Sequence, residues 1–391
     1  MSTPLEGIKV LDMSRVLAGP WAGQLLGDYG ADVVKVERPG QGDDTRHWGP
    51  PWHGGEGGEA AYFLATNRNK RSIAVDIASE DGQALVRNLA GKADILIENF
   101  RAGTMARCGL GYDTLCEDNP GLVYCAITAY GAHSSRAHEP GYDAMIQAAA
   151  GLMSITGPAD ADGGGPQKVG VAIADIMAGM YATTAILAAL EERRRSGTGQ
   201  RIDIPLYDSQ AAWLANQAMN YLVSGEIPQR RGTAHPNLVP YQAFAASDGH
   251  FVLAVGNDKQ FAACAGLLAR PELADDPRFS TNAGRVTNRR ALITILEAEF
   301  ATKGVSDWLA LLGNAGIPAG PINSIDVVLG DDYAAEQGLV RRLEKTATET
   351  VPTVANPVCF SRTPVCYASA PPDLGEHEQA VLRDWLGSSD D

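Results

Sequence analysis

Residues 7–38, GIKVLDMSRVLAGPWAGQLLGDYGADVVKVER, contain the pattern that decides the fold. Residues 7–14 form the continuous apolar run that is typical of a buried strand. Residues 20–30 then show helical spacing that ends at a glycine, and residues 31–38 repeat the strand pattern. Strand, helix and strand in this order predict a βαβ unit, in which the two strands run parallel.

The same alternation continues beyond this unit and predicts an α/β fold with a doubly wound, Rossmann-like parallel sheet. The further predicted strands are residues 71–77, 94–100 and 121–131, and the predicted helices are residues 80–93 and 142–157.

The pattern changes in the second half of the chain. Residues 241–257, YQAFAASDGHFVLAVGN, predict an antiparallel hairpin that turns at Asp248-Gly249. We expect helices at about 258–269 and 288–313, followed by a Pro/Gly linker at 316–325. A chain of 391 residues is too long for one compact core. The sequence therefore predicts a second, smaller domain of α+β type.

Composition restricts the classes of function. The net charge of −15 argues against a nucleic-acid partner. Six cysteines lie far apart without CxxC or Cys/His ligand spacing, which predicts reduced thiols and no metal site. The N-terminus shows no leader pattern, and the apolar runs look too short or too interrupted to cross a membrane. We expect a soluble, cytoplasmic protein with no membrane partner.

The first βαβ unit imitates a dinucleotide-binding site without its defining glycines. Residues 14–27, SRVLAGPWAGQLLG, contain no G-x-G-x-x-G, and Pro20 stands where a pyrophosphate needs close backbone approach. Arg38 directly after the second strand suits a phosphate better than a ribose. The unit predicts the fold but not a nicotinamide or flavin cofactor.

Residues 169–190, VGVAIADIMAGMYATTAILAAL, carry a single carboxylate, Asp175, at the start of an apolar helix. An unpaired buried charge is costly. Asp175 therefore either caps the helix, which is the usual task of an aspartate at this place, or performs chemistry. The residues alone leave both interpretations open, and the two roles are compatible.

Several segments together resemble the class III (family III) CoA-transferases, a family that shares its fold with α-methylacyl-CoA racemase. The resemblance covers nearly the whole chain in the family's order. It is carried by residues 4–46, 67–76 (NRNKRSIAVD), 98–103 (ENFRAG), 126–131 (AITAYG) and 170–182 (GVAIADIMAGMYA). Residues 230–244, RRGTAHPNLVPYQAF, look most similar to succinyl-CoA:dicarboxylate members of the glutarate type.

The resemblance implies a large domain interrupted by a small inserted domain, and an interlocked homodimer. We expect residues 1–200 to form the N-terminal part of the large domain and residues 356–391 to return to it. Residues 201–228 and 321–355 are expected as linkers on either side of a small domain at 229–320. Coenzyme A enters as part of an acyl-CoA substrate, and no permanently bound cofactor is implied.

The resemblance also implies roles for individual residues. Asp175 matches the nucleophile, which forms an anhydride with the acyl group and then a thioester with CoA. The expected CoA-binding residues are Arg15, Arg38, Arg71, Asn99, Phe100 and Arg107. Taken singly, an arginine in such a motif is more often a solvated surface residue, and the family positions are what favour Arg38 and Arg107 for CoA binding.

Other positions discriminate between members of the family. Tyr142 stands where the racemases have a histidine base, and a phenol is a poor base near neutral pH. Leu17 replaces a glutamine of the formyl-CoA:oxalate enzymes, which weakens an oxalate interpretation. Residues 230–237, RRGTAHPN, replace their glycine loop. Arg230, Arg231, Thr233 and His235 could pair with the distal carboxylate of a longer diacid, and Gly232 could act as a hinge.

We therefore predict transfer of CoA from a dicarboxylyl-CoA, succinyl-CoA by preference, to a C4–C6 dicarboxylic acid such as glutarate or itaconate. Two alternatives stay open at this point. One is an α-methylacyl-CoA racemase of the same fold, and the other is a CoA-binding regulatory protein without turnover.

Overall fold

The computed structural model describes residues 2–387, and this part of the chain divides into two compact units. The first unit contains the chain up to Leu152, the segment Val169–Leu214, and the chain from Asp332 onward. The second unit contains Met153–Lys168 and Ala215–Asp331. Each unit is described by itself below.

A six-stranded parallel sheet forms the centre of the first unit and confirms the predicted α/β class. Its strand order is β3-β2-β1-β4-β5-β6, with every neighbouring pair parallel. The order reverses between β1 and β4, as in doubly wound nucleotide-binding sheets. The strands are β1 (Lys9–Asp12), β2 (Asp32–Glu37), β3 (Lys70–Ala74), β4 (Ile95–Glu98), β5 (Val123–Thr128) and β6 (Arg201–Pro205).

Helices cover both faces of this sheet, which is why the strands are apolar on both sides. Val10 of β1 faces one core, and the neighbouring Leu11 faces the other. The main helices are α1 (Ala18–Asp28), α2 (Glu80–Ala90), α3 (Asp143–Ala149), α4 (Ile173–Ser196) and α5 (Leu206–Ala212). Shorter helices of this unit are Ala61–Leu64, Thr104–Arg107, Tyr112–Asp118, Asp332–Gln337 and Glu378–Val381, and the short helix Leu152–Ile155 begins at the boundary with the second unit.

Helix α4 is long and apolar enough to cross a membrane by length and composition. The expectation that every apolar run is too short is therefore wrong. Ala174, Ala178 and Ala182 of α4 are buried in the same core as Ala18 and Ala22 of α1. This packing accounts for the apolar character of the helix.

The second unit is built on a three-stranded antiparallel sheet in the order β9-β8-β7. Strands β7 (Tyr241–Ala245) and β8 (His250–Ala254) form the predicted hairpin, in which the Ala246 N–H donates to the Gly249 carbonyl at 2.8 Å. Strand β9 (Ala319–Pro321) lies inside the segment that was predicted as a linker. That prediction is wrong because β9 pairs with β8, with Ala319 opposite Leu253.

Helices surround this sheet and bury an aromatic core that includes Phe244, Phe300 and Trp308. The helix predicted over 288–313 is broken at Gly304, which caps the second of two helices. The helices of this unit are Ala215–Ser224, Asp258–Leu267, Glu272–Asp275, Asn282–Thr287, Arg289–Phe300, Val305–Asn314 and Ile325–Gly330. A hairpin of β10 (Val340–Glu344) and β11 (Thr350–Val354) follows in the first unit.

Candidate active site

A cavity of about 190 Å³ lies in the first unit beyond the carboxyl ends of β1, β4 and β5. Ligands of parallel α/β sheets bind where the strand order reverses, and β1 and β4 are the two strands at that point. We call this space the Asp175 cavity. Its walls include residues 15–18, 99–102 and 127–129, together with Gly141, Tyr142 and Asp175.

Asp175 is the third residue of α4, and it does not cap the helix. The N-cap position is Ala172, which has no side-chain hydrogen bond to offer. The N–H of Ala174 donates instead to Oδ1 of Asp143 at 2.8 Å. The capping interpretation of Asp175 is therefore wrong, because Asp143 satisfies the helix terminus. Within residues 2–387, no hydrogen bond or ion pair engages the Asp175 carboxylate.

A second carboxylate is fixed beside Asp175. Oδ2 of Asp143 accepts a hydrogen bond from Nε2 of the buried Gln147 at 2.7 Å, and Oε1 of Gln147 accepts the Val169 N–H at 2.9 Å. Burial, and then the negative charge of Asp143, raise the pKa of Asp175 to about 7. Asp175 is thus a half-buried carboxylate without a compensating cation, which makes it a basic and reactive oxygen nucleophile.

The loop after β1 forms one wall of the Asp175 cavity and is held by side chains. Oδ1 of Asn99 accepts the Arg15 N–H at 2.8 Å, and its Nδ2 donates to the Arg15 carbonyl at 2.6 Å. Asn99 lies at the cavity as predicted from the resemblance, but its amide is engaged with the Arg15 peptide. Leu17 is buried at the N-cap of α1 and lines the cavity.

A neighbouring cavity of about 330 Å³ opens beyond the ends of β2 and β3. Arg38 lines this space, which we call the Arg38 cavity. Arg15 and Phe100 line both cavities, and the Arg15 guanidinium lies 5.0 Å from the centre of the Phe100 ring. Arg38 is exposed and forms no ion pair within the described chain. The two cavities therefore share one cationic and one aromatic lining residue.

The structure does not bring Arg71 to these cavities. Its guanidinium pairs with Asp32 at 2.6 Å and with Asp384 at 2.9 Å. Asp32 begins β2, so this cluster lies at the amino edge of the sheet, opposite the cavities. Arg107 ends a short helix that follows β4, where it is exposed and donates to Oγ1 of Thr104 at 3.0 Å. Arg107 lines neither cavity.

Tyr142 is 64% exposed and lines the Asp175 cavity directly before Asp143. Sequence reasoning missed Asp143, although the motif GYDAM contained it. It also missed Tyr62, whose pKa is raised by burial and then by the charges of Asp175 and Asp143. Tyr62 lies after a Gly/Pro-rich loop, and no local pattern connects it to the site. Arg101, which lines the cavity, was missed as well.

Gly232, Thr233 and His235 belong to the second unit. Gly232 adopts a φ of 60°, and Oγ1 of Thr233 accepts the Ala243 N–H at 2.9 Å. Nδ1 of His235 accepts the N–H groups of Asn237 and Leu238, both at 3.1 Å. Burial and the positive charge of Arg289 lower the pKa of His235. His235 is therefore a neutral ring with its proton on Nε2.

Among residues 2–387, no three His, Cys, Asp or Glu side chains are grouped so that they could hold a metal ion. The groups at the two cavities are carboxylates, guanidinium groups and aromatic rings. These groups suit an organic anion and nucleophilic chemistry at a carboxylate.

The chain was compared with known proteins and structures. Residues 5–378 match the family model described as CoA-transferase family III. The succinate–glutarate CoA-transferase of Agrobacterium fabrum is 47% identical over 382 residues, which cover 97% of this chain and 95% of that protein. Human succinyl-CoA:glutarate CoA-transferase is 43% identical over 387 residues, with coverage of 99% and 87%. A crystal structure of a CAIB/BAIF family protein from Brucella suis has a TM-score of 0.86 at 47% identity, covering 98% of this chain and 100% of that one.

Proposed function

This chain belongs to CoA-transferase family III, and from that premise we propose that it transfers CoA from succinyl-CoA to glutarate. The relatives from Agrobacterium fabrum and human, both similar over nearly the whole length, carry names that state this pair of acids. The predicted activity class, CoA transfer to a dicarboxylic acid, is thereby supported. Coenzyme A acts here as part of the substrate.

The observation that carries the mechanism is the Asp175 carboxylate, which lies in a cavity and has no hydrogen-bond or ion-pair partner among residues 2–387. A structural aspartate at a helix terminus is normally used as a cap, and here Asp143 performs that task. An uncompensated carboxylate costs folding free energy. A covalent role in the reaction explains why it is retained.

In the first half-reaction, an oxygen of Asp175 attacks the thioester carbonyl of succinyl-CoA. The C–S bond breaks, and CoA leaves as a thiolate while a succinyl-aspartyl anhydride forms. The thiolate then attacks the Asp175 carbonyl carbon and expels succinate. Asp175 now carries CoA as a thioester, and no proton has been gained or lost.

The second half-reaction repeats these steps in the opposite direction. A glutarate oxygen attacks the aspartyl thioester, which releases the CoA thiolate and forms a glutaryl-aspartyl anhydride. The thiolate attacks the glutaryl carbonyl, so that glutaryl-CoA forms and the Asp175 carboxylate returns. Each tetrahedral intermediate needs hydrogen-bond donors for its oxyanion, and the start of α1 supplies N–H groups beside the cavity that have no acceptor within residues 2–387.

The CoA carrier is assigned to the Arg38 cavity and its passage to Asp175. Arg38 is free to pair with a phosphate, and Arg15 stacked on Phe100 forms the wall between nucleotide and thioester. Arg107 remains a candidate for the outer phosphate because it is exposed on the loop side of β4. We leave Arg71 out of this site because both of its ion pairs lie at the opposite edge of the sheet.

The acid substrates need a partner for their distal carboxylate. We assign this task to the loop with Gly232, Thr233 and His235, in which the Nε2–H of His235 and the hydroxyl of Thr233 are donors. We assign the contact with the acyl part to Tyr142 and Leu17, which line the Asp175 cavity.

The assembly is also a proposal. We infer a homodimer of the interlocked kind in the cytoplasm, with the first unit as the large domain and the second unit as the inserted small domain. The expected bounds of 1–200 and 356–391 for the large domain, 229–320 for the small domain and 201–228 and 321–355 for the linkers differ from the bounds of these units, because Arg201–Pro205 adds a strand to the central sheet. The discontinuous first unit supports an inserted small domain.

Isotope exchange tests the proposed function. With succinyl-CoA and labelled succinate alone, the enzyme should move label into succinyl-CoA in the absence of glutarate, because the first half-reaction is complete in itself and reversible. Adding glutarate should give glutaryl-CoA, and Asp175→Ala should lower both rates by at least about 10⁴-fold. Retained exchange in Asp175→Ala would exclude the covalent mechanism.

The racemase alternative predicts a different result. It requires two bases that exchange an α-proton, and neither His133 nor His138 lines the Asp175 cavity. An α-methylacyl-CoA incubated in deuterium oxide should therefore gain no deuterium. Deuterium gain at a rate comparable to CoA transfer would favour the racemase.

A further inference from the structure

Two lysines and two aspartates are buried as ion pairs beneath the loop that forms one wall of the Asp175 cavity. Nζ of Lys35 donates to Oδ2 of Asp43 at 2.9 Å, and Nζ of Lys70 donates to Oδ2 of Asp12 at 2.8 Å. All four residues are 1% exposed or less. A buried ion pair is weak evidence of stabilisation, because desolvation offsets the attraction. Stability alone therefore does not explain this cluster.

The cluster holds the peptide groups of residues 14–16 from below. The Lys35 ammonium donates to the Ser14 carbonyl at 2.8 Å, and Oδ1 of Asp12 accepts the Ser14 N–H at 3.0 Å. Both carboxylate oxygens of Asp43 lie 3.2 Å from the Val16 nitrogen and accept its N–H. Together with Asn99 on the Arg15 peptide, side chains bind every residue of this turn.

Val16 is the residue that needs this support. Its φ is 71°, in the left-handed region that a β-branched residue rarely adopts. Such strain persists only where surrounding structure imposes it, and it concentrates at functional sites. Asp43 is the side chain that accepts the Val16 N–H. Its own orientation is fixed by Thr45, whose N–H and Oγ1 donate to Oδ1 of Asp43 at 3.0 and 2.8 Å.

The strained turn determines where the next N–H groups point. Leu17, Ala18 and Gly19 follow Val16 at the start of α1, and Leu17 and Ala18 line the Asp175 cavity. Within residues 2–387, the N–H groups of these three residues donate to no protein acceptor. The first N–H groups of a helix have no partner inside the helix, so a ligand or water must accept them.

We propose that Asp43 is a positioning residue for acyl transfer, with Lys35 as the counterion that keeps it ionised: by fixing the Val16 peptide, Asp43 aims the Leu17 and Ala18 N–H groups at the carbonyl that reacts with Asp175. Lys35 lines neither cavity, and Asp43, at the wall of the Arg38 cavity, is only 1% exposed. Asp43 acts through backbone N–H groups. These donors would remain after a substitution of the Leu17 side chain. This inference rests on the proposed function, because it assigns those N–H groups to the oxyanions of the two anhydride-forming steps.

The charge state of the pair suits a permanent scaffold. Burial alone would raise the pKa of Asp43, but the Lys35 ammonium and the Thr45 N–H hold that pKa at about 2. The pKa of Lys35 is raised, because Asp43, Asp12 and Glu37 outweigh its burial. Asp43 therefore stays ionised and keeps its hydrogen bond from the Val16 N–H throughout the pH range in which Asp175 titrates.

Two double variants separate this role from folding. Lys35→Met with Asp43→Asn removes the ion pair but keeps an oxygen that accepts the Val16 N–H. Lys35→Met with Asp43→Leu removes both. We expect kcat to stay within about fivefold of wild type in the first, and to fall by at least about 30-fold in the second with KM for succinyl-CoA changed less than about threefold. Thermal unfolding and circular dichroism report whether both fold.

Adding Val16→Gly to the Asp43→Leu variant provides a rescue. Glycine adopts positive φ without strain, so the turn should re-form in part and kcat should recover by at least about fivefold. If the Asp43→Leu variant does not fold, Thr45→Val replaces it as the test, because it removes one hydrogen bond from Asp43 and should lower kcat by at least about threefold at unchanged KM. Equal kcat in the two double variants, or unchanged kcat in Thr45→Val, would overturn the proposal. An inactive wild type would instead contradict the proposed function.

Discussion

At the scale of single residues, Asp175 and Asp143 determine how activity depends on pH. The nucleophile must be ionised, and burial together with Asp143 raises the pKa of Asp175 to about 7. We expect kcat/KM for succinyl-CoA to be constant above this pH and to fall about tenfold per pH unit below it. Asp143→Asn should move the midpoint to lower pH, because it removes the second cause of the shift. A midpoint unaffected by Asp143→Asn would contradict this assignment.

The Asp175 carboxylate should also lower the free energy of unfolding. A carboxyl whose pKa is raised on folding destabilises the protein increasingly as pH rises from the unfolded value near 4 to the folded value near 7. Asp175→Asn should therefore raise the free energy of unfolding by about 2 kcal/mol at pH 8, after allowance for its partial exposure, and by less at pH 5. Asp307 occupies the third position of the exposed start of Val305–Asn314 and serves as the control. Asp307→Asn should show no such gain, and denaturant unfolding at the two pH values checks both.

Residue patterns predicted part of this site. Asp175 could be found because a lone carboxylate interrupts an apolar helix, and Arg38 because it follows a strand end. The partners of these residues were not accessible to the same reasoning. Asp143, Tyr62 and Asp43 reach the site through tertiary packing, and nothing in their local sequence indicates which peptide or carboxylate they approach. Arg71 is the opposite case. Its motif was recognised, but its guanidinium lies at the amino edge of the sheet, away from the two cavities.

At the scale of elements, the close contact of α1 with α4 sets the distance between the loop wall and Asp175. A Cβ at Gly179 of α4 would lie 2.6 Å from the Ala18 carbonyl oxygen. Gly179→Ala should thus push the helices apart, lower the free energy of unfolding by about 2 kcal/mol, and reduce kcat. Gly313 is also helical but has open space at its Cβ position, so Gly313→Ala should be neutral or slightly stabilising. Equal stability of the two variants would contradict this packing account.

Elements were predictable where pattern and packing agree. The βαβ unit at residues 7–38 was recognisable because buried parallel strands are apolar throughout. Helix breaks were not: the predicted helix at 142–157 stops at Gly151, with φ 91°, and the one at 288–313 divides at Gly304. Strand β9 was also hidden, because Pro318 and Gly320 resemble a linker and only its pairing with β8 makes it a strand.

At the scale of the whole molecule, the second unit exposes large apolar side chains to water, which is energetically unfavourable. Leu222, Val223 and Ile227 are each more than 70% exposed. Such a group indicates a surface that another chain covers. We expect light scattering after size exclusion to give twice the 41.3 kDa chain mass at micromolar concentration. A monomer at that concentration would contradict the proposed homodimer, and Val223→Asp should weaken the dimer if this surface belongs to it.

The central claim is that Asp175 carries the acyl group and then CoA. The most direct measurement incubates the enzyme with succinyl-CoA and hydroxylamine, without an acceptor acid, and maps the product by peptide mass spectrometry. The account predicts a hydroxamate at Asp175 and at no other acidic residue, dependent on succinyl-CoA and absent when hydroxylamine is omitted. A catalytically competent enzyme that leaves Asp175 unmodified, or a hydroxamate at a different carboxylate, would contradict it.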